Sequence, residues 1–346
     1  MQNVTQKPRR FPRLTVGVLA LSMLVAAPFA QAADAVTVQL DWIVRANHAM
    51  FFVAKDKGYF KDADIDVSAI RKGTGSTDAL RLVATGSAQF GFADLPTLQV
   101  ARAQKVPAVA LVAVNQHSPL AVISVKARKP ITKPADLKDF NFGVHPSGST
   151  YIFLKAFLAA NGMRLADMKQ STVAPPYESY LVMGRVDAVP GYIDAEVPEL
   201  ESKTGGPGSL SILQGSDFGY KAYGSGMFTS EKLIADNPGL VQRFTTAYMK
   251  AFKDVIENPK EAVDIIVKLN PEFKGKEDVL SKQLDADIKH TFFSDYTKQH
   301  GIGAISAEQW KQTADTLLEQ EVLPKGASTT EGYDNKFVQA ANALRR

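Results

Sequence analysis

Apolar positions along this chain follow two alternating periods. Residues 36–40 (VTVQL) alternate apolar and polar side chains as a half-buried strand does. Residues 65–69, 90–93 and 108–115 are further short runs rich in Val, Ile, Phe and Ala. Between them, residues 50–57, 77–85 and 95–104 space their apolar side chains as helices do. This rhythm predicts an α/β fold with a mostly parallel sheet covered on both faces. Residues 106–114 (VPAVALVAV) are too short to span a bilayer and suit a buried central strand.

A second α/β unit is expected from about residue 126. "KARKPITKPADLKDF" (126–140) reads as a crossing segment followed by a short helix. A strand at 141–144, helices at 150–160 and 177–183, a strand at 188–191, a helix at 195–203 and a loop at 204–209 follow. Beyond Gly226 the pattern turns helical. Leu240, Phe244, Ala247, Tyr248, Ala251, Phe252, Val255 and Ile256 form one apolar face, and their expected role is core packing. Helices are also expected at 276–291 and 306–320, the latter packing Trp310. These late helices need a sheet to cover, and the first unit offers one. The expected division is therefore 33–125 and 226–346 for lobe one and 126–225 for lobe two. Crossings are expected near 125–127 and 225–229.

The first 32 residues stand apart. Lys7, Arg9, Arg10 and Arg13 precede an apolar stretch, and Ala30-Gln31-Ala32 places small residues where a signal peptidase reads them. A cleavable secretory signal is expected, with cleavage after Ala32 and export to the periplasm. Its four basic residues account for the whole formal charge of +4, so the remainder is near neutral and offers no basic tract for nucleic acid. There are no cysteines. Disulfides, thiolate metal sites and a lipid-modified N-terminal Cys are thereby excluded.

The catalytic signatures sought are missing. No G-x-S-x-G elbow, P-loop, H-E-x-x-H or post-strand G-x-G-x-x-G occurs, and the five histidines lack metal-ligand spacing. What recurs instead is polar and aromatic residues at strand C-terminal ends, where open α/β sheets bind ligands. Asp41, Trp42, Asn47 and His48 follow the first strand. Asp94 follows 90–93, and Asn115 and Gln116 follow the apolar strand. Residues 145–150 follow 141–144, and Tyr192, Asp194 and Glu196 follow 188–191. Trp42 is read as a stacking residue, with Tyr192 facing it across a cleft. His48, Asp94 and Glu196 each have a second reading as helix-terminal residues, and Asp194 is read as an N-cap. Gly75-Ser76-Thr77 and Gly148-Ser149-Thr150 each open a helix after a strand. Helix N-termini offer unpaired N–H groups, so Ser76, Ser149 and Thr150 join the candidate ligand set.

These stretches together resemble a known family. "LDWIVRANHAMFFVAKDKGYF" (40–60), "GTGSTDALRLVATGSAQFGFAD" (73–94), "DLKDFNFGVHPSGST" (136–150), "GRVDAVPGYIDAE" (184–196) and "NPGLVQRFTTAYMKAF" (237–252) are similar to the periplasmic substrate-binding proteins of ABC importers. The nearest branch includes binders of thiamine pyrimidine precursors, with sulfonate and taurine binders more distant. The resemblance implies a type 2 two-lobed fold with a two-strand hinge, a ligand cleft between the lobes, no cofactor and no catalysis. Its implied partners are a small aromatic or heterocyclic ligand and an inner-membrane permease, and the protein is expected to be a monomer. Trp42, Asn47 and His48 fall on the branch's site pattern. Its loop often carries Pro soon after the Trp, whereas Ile43-Val44-Arg45 stands here and leaves the ligand open. Asp94 and Glu196, facing the cleft, argue for a ligand with N–H donors over a sulfonate, and an aromatic-carboxylate binder of the same fold is the alternative. The superfamily's eukaryotic pyrimidine synthases need a Cys-rich segment, which this chain lacks.

Overall fold

The computed structural model describes residues 1–3, 7, 33–174 and 177–344. The expected signal segment and its cleavage point lie outside the described residues apart from its positions 1–3 and 7. The chain first forms β1 (Asp34–Gln39), α1 (Ala49–Asp56), β2 (Ile65–Arg71), α2 (Ser76–Ala84), β3 (Phe90–Asp94), α3 (Leu95–Ala103) and β4 (Ala108–Ala113). It continues through β5 (Leu120–Val125), β6 (Asn141–Val144), α4 (Ser149–Ala160), β7 (Lys169–Thr172), α5 (Glu178–Val182), β8 (Ala188–Tyr192), α6 (Glu196–Thr204) and β9 (Leu210–Gln214). Then come β10 (Ser225–Ser230), α7 (Glu231–Asp236), α8 (Pro238–Glu257), α9 (Pro259–Leu269), α10 (Glu277–His290), α11 (Asp295–His300), α12 (Ala307–Glu319) and α13 (Lys336–Ala343).

Two five-stranded sheets result, in the orders β2-β1-β3-β10-β4 and β7-β6-β8-β5-β9. Each is built the same way. The first three strands of each order are parallel, and the fourth, β10 or β5, runs antiparallel to both neighbours. In each sheet that antiparallel strand is the one entered just after the chain crosses over. The parallel strands of both sheets therefore end at the cleft, where loops can converge.

The crossings lie earlier than the sequence suggested. The first spans residues 114–119, not 125–127, because β5 is buried along its whole length between β8 and β9 of the second sheet. The Pro- and Lys-rich segment that suggested a crossing holds a 3₁₀ turn, Pro134–Asp139, within the second lobe. The second crossing spans 219–224, and the 225–229 stretch is strand β10 of the first sheet. The two crossings touch: Ser118 N donates to Ala222 O at 2.9 Å, and Gly224 N to Asn115 O at 2.9 Å.

Helix α8 shows why the late helices form. Asn237 accepts from Leu240 N at 3.0 Å as its N-cap, and Pro238 occupies the first turn. Its apolar face buries Phe244 against the first sheet, with ring centroids 3.7 Å from Phe90 and 4.6 Å from Phe60. The returning helices do not cover lobe one alone. Helix α12 sends Trp310 into the first-lobe core and Ala314 and Leu317 into the second-lobe core. Trp310 is packing, as expected, and its indole N–H donates to Glu331 O at 3.1 Å.

Candidate functional site

The cleft between the two sheets closes over a small cavity lined from both sides. The first lobe contributes Asp41, Trp42, Arg45, Asn47, His48, Gly75, Ser76 and Ser225. The second contributes Gly148, Ser149, Thr150, Tyr177, Tyr192, Ala195 and Glu196. The space open to the centres of water molecules is about 40 Å³.

The first wall is set by the turn after β1. The strand ends at Gln39, and a 3₁₀ turn, Ala46–His48, leads into α1. His48 Nδ1 accepts the Arg45 backbone N–H at 3.1 Å. Nε2 therefore carries the proton and donates to Asp41 Oδ1 at 3.0 Å. Ser76 Oγ donates to Asp41 Oδ2 at 3.4 Å and accepts the Asp94 backbone N–H at 3.1 Å. The turn needs Gly73, because a Cβ there would lie 2.1 Å from Leu40 O.

The second wall carries the aromatics. Trp42 lies 5.6 Å, centroid to centroid, from both His145 and Tyr177 of the opposite lobe. Tyr192 turns to Ser149, with the two hydroxyl oxygens 2.6 Å apart. Trp42 and Tyr192 thus both line the cavity, but Trp42 packs on Tyr177 and His145. The two Gly-Ser-Thr turns meet here too. Thr77 N donates to Ser147 O at 3.4 Å, and a Cβ on Gly75 would lie 2.5 Å from that oxygen.

Charge crosses the cleft through Arg45. Its Nη2 donates to Glu178 Oε1 at 2.8 Å, and its Nη1 lies 2.8 Å from Glu196 Oε1. The second contact is an ion pair without hydrogen-bond alignment. Burial, the largest influence, works to lower the guanidinium pKa, but Glu196 and Glu178 together hold it above its usual value. Glu196 also accepts the Tyr177 hydroxyl at 2.8 Å and the Tyr192 backbone N–H. Burial raises its carboxyl pKa, against the opposing pull of Arg45.

Several expected residues lie elsewhere or act otherwise. Gln116 is fully buried at the first crossing and does not line the cavity. Its amide donates to Ala113 O and Ala304 O and accepts from Ser294, so its hydrogen-bonding capacity is spent on the fold. Asp94 lies behind the lining and caps α3, with Oδ2 accepting Thr97 N at 3.0 Å and Thr97 Oγ1 at 2.7 Å. Asp194 is no N-cap, since Ala195 holds that position without a side-chain bond. It is buried beside Asp287 of α10; burial first and the Asp287 charge second push its pKa well up. Asn115 donates to Asp287 and Thr291.

Tyr177 and Glu178 were not anticipated as site residues. Strand β7 (KQST) is four residues long and polar, so the loop after it was not recognised as a strand end. The signal available was Pro175-Pro176 just before the Tyr-Glu pair.

Several cavity polar groups have no protein partner. Trp42 Nε1 and Asn47 Oδ1 are buried without one, as are Asp94 Oδ1 and Glu178 Oε2 just behind the lining. A donor and acceptors left unpaired in a closed cavity ask for a polar molecule to complete them.

Comparisons with known proteins agree with this architecture. The family model described as "NMT1/THI5 like" matches residues 45–262. The riboflavin-binding protein RibY of Chloroflexus aurantiacus is 25% identical, covering 94% of this chain and 97% of its own. The formylaminopyrimidine-binding protein of Halalkalibacterium halodurans is 26% identical, covering 86% and 90%. The periplasmic aliphatic sulphonate binding protein SsuA of Escherichia coli superposes with a TM-score of 0.63 at 18% identity, covering 85% of this chain and 90% of that one. The chain belongs to the NMT1/THI5-like family and has the two-lobed fold of periplasmic binding proteins.

Proposed function

We propose that this protein is the exported, periplasmic binding component of an ABC importer. It captures a one-ring nitrogen heterocycle of the aminopyrimidine class and hands it to an inner-membrane permease, without catalysing a reaction. The observation that carries this reading is the pair of unpaired groups inside the cavity, Trp42 Nε1 and Asn47 Oδ1. An aminopyrimidine edge offers a ring nitrogen that accepts and an amino group that donates, which is the complement of that pair.

Charge and size narrow the class. Asp41 and Glu196 line the cavity, and the one guanidinium there is already held by two carboxylates. A sulfonate would meet repulsion without a free cation. Adding a water radius around the open space gives roughly 180 Å³, room for about ten non-hydrogen atoms at interior packing density. That suits a substituted pyrimidine and is too small for a three-ring flavin, which favours the ligand class named for the Halalkalibacterium relative over that named for RibY. In this reading the ring lies against the packed Trp42–Tyr177 pair, and Asp41, Asn47 and Glu196 face its hydrogens. Ser149 and Thr150 donate from the head of α4. Ligand contacts to both lobes then favour the closed form that a permease recognises.

A thermal-shift series tests this. Formylaminopyrimidine at 100 times its dissociation constant stabilises the fold by about 2.7 kcal/mol, whereas taurine and riboflavin leave the midpoint unchanged. A larger shift with taurine or riboflavin than with the aminopyrimidine overturns the assignment.

A further inference from the structure

The two walls of the cleft meet, and one side chain spans it. Arg45 leaves the first lobe in the turn after β1 and reaches carboxylates on two helices of the second, Glu178 at the start of α5 and Glu196 at the start of α6. All three side chains are at least 93% buried. Arg45 therefore makes two charged contacts between the lobes that need no ligand. A guanidinium suits this role because it stays charged and its two terminal nitrogens reach different carboxylates, one by a hydrogen bond and one by charge alone.

The rest of the rim agrees. Beside Arg45, Gln283 of α10 accepts from Ala46 N at 3.4 Å and donates to Ala195 O at 2.7 Å, so one side chain ties both walls. On the opposite rim His145 Nε2 bonds Thr74 O at 2.6 Å. Of these ties the Arg45 pairs are the ones made between full charges in a desolvated setting, where removing one partner strands the other.

We propose that Arg45 is a latch that holds the two lobes together in the ligand-free protein, so that the cleft is largely formed before ligand arrives. The geometry of the latch does not depend on the ligand, but its consequence for capture rests on the binding function proposed above. A preformed cleft binds with nearly its full intrinsic affinity, because little of it is lost to closing the lobes. The same latch slows entry, since a ligand reaches the cavity only when the lobes part. Arg45 is thus a positioning residue. A side chain that only touched ligand would change the dissociation rate and leave the association rate alone.

The absence of cysteine makes the test clean. Asp62→Cys and Lys138→Cys place one thiol on an exposed position of each lobe, and spin labels on them report the lobe separation by pulsed electron resonance. Without ligand, the protein should show one short, narrow distance, and Arg45→Gln a longer or broader one. Glu178→Gln, which preserves shape and removes a charge, should move the same way, and it keeps the test standing if Arg45→Gln does not fold. Superimposable distributions for the parent and for whichever of these variants folds overturn the latch, as does an already open parent. With formylaminopyrimidine as probe, Arg45→Gln should associate at least threefold faster and bind at least tenfold more weakly, and an unchanged association rate overturns the proposal. If that probe fails to bind the parent, the ligand assignment fails, and the ligand-free distances still decide the latch.

Discussion

Asp94 offers a quantitative test of how the cleft wall is built. It is fully buried, with one oxygen bonded twice to Thr97 and the other unpaired. Burial raises its pKa to about 7, against the Thr97 hydrogen bonds that pull it down, and the nearby Asp41 charge adds to the rise. The unfolded value is 3.8. Between these limits the folded protein holds more proton than the unfolded chain, so this group's contribution falls as pH rises and levels off above about 7. A rise of about three units corresponds to about 4 kcal/mol. Asp94→Asn keeps the Thr97 cap, because its carbonyl oxygen accepts the same two bonds, and it has no proton to lose. Urea unfolding of both proteins from pH 5 to 8 isolates the effect as a difference. The parent has already lost about 1.7 kcal/mol of this by pH 5, so the variant should gain on it by about a further 2.5 kcal/mol between pH 5 and pH 8. A difference that does not change with pH, or one that favours the parent as pH rises, would show that the Thr97 bonds outweigh burial.

Three further outcomes follow from the geometry. Trp42→Ala removes a ring that packs between His145 and Tyr177, and calorimetry should find aminopyrimidine binding weakened by about 1–3 kcal/mol, the range of base stacking on an aromatic side chain; unchanged affinity would displace Trp42 from the site. Gly75→Ala brings a Cβ to 2.5 Å from Ser147 O and puts a side chain at φ +157°, so ligand affinity should fall about tenfold, near 1.4 kcal/mol, and ligand-free urea unfolding should lose about 1–3 kcal/mol. Phe244→Ala empties the stack between Phe90 and Phe60 and should cost about 3–5 kcal/mol in urea unfolding; a loss below 1 kcal/mol would mean that the α8 face is not the core of lobe one.

How much of this was legible depended on what each residue's neighbours are. The turn after β1 was readable because an alternating strand ran straight into Asp41, Trp42, Asn47 and His48, and local order alone put them at a sheet's carboxyl edge. The two Gly-Ser-Thr turns were readable for the same reason. Gln116 shared that local signature, but the strand before it ends at a crossing, and tertiary partners on α11 and α12 absorb its polar atoms. Arg45 was visible as a departure from the family pattern, yet its partners lie 133 and 151 positions further along the chain, and no spacing rule reaches that far. Strand β5 was missed because its continuous apolar run is buried on both faces by neighbours distant in sequence, and with it went the true crossing. The late helices were found from their period, but period does not say which lobe a face meets, and α12 meets both.

The central claim is that an aminopyrimidine sits in the cavity against Trp42. Trp42 and Trp310 are the only tryptophans, and Trp310 is buried and does not line the cavity, so Trp310→Phe leaves Trp42 as the sole indole reporter. Titrating that protein with formylaminopyrimidine should give a saturable one-site change in Trp42 emission that taurine does not produce. Emission that stays flat through the titration, or an equal response to taurine, would contradict the account.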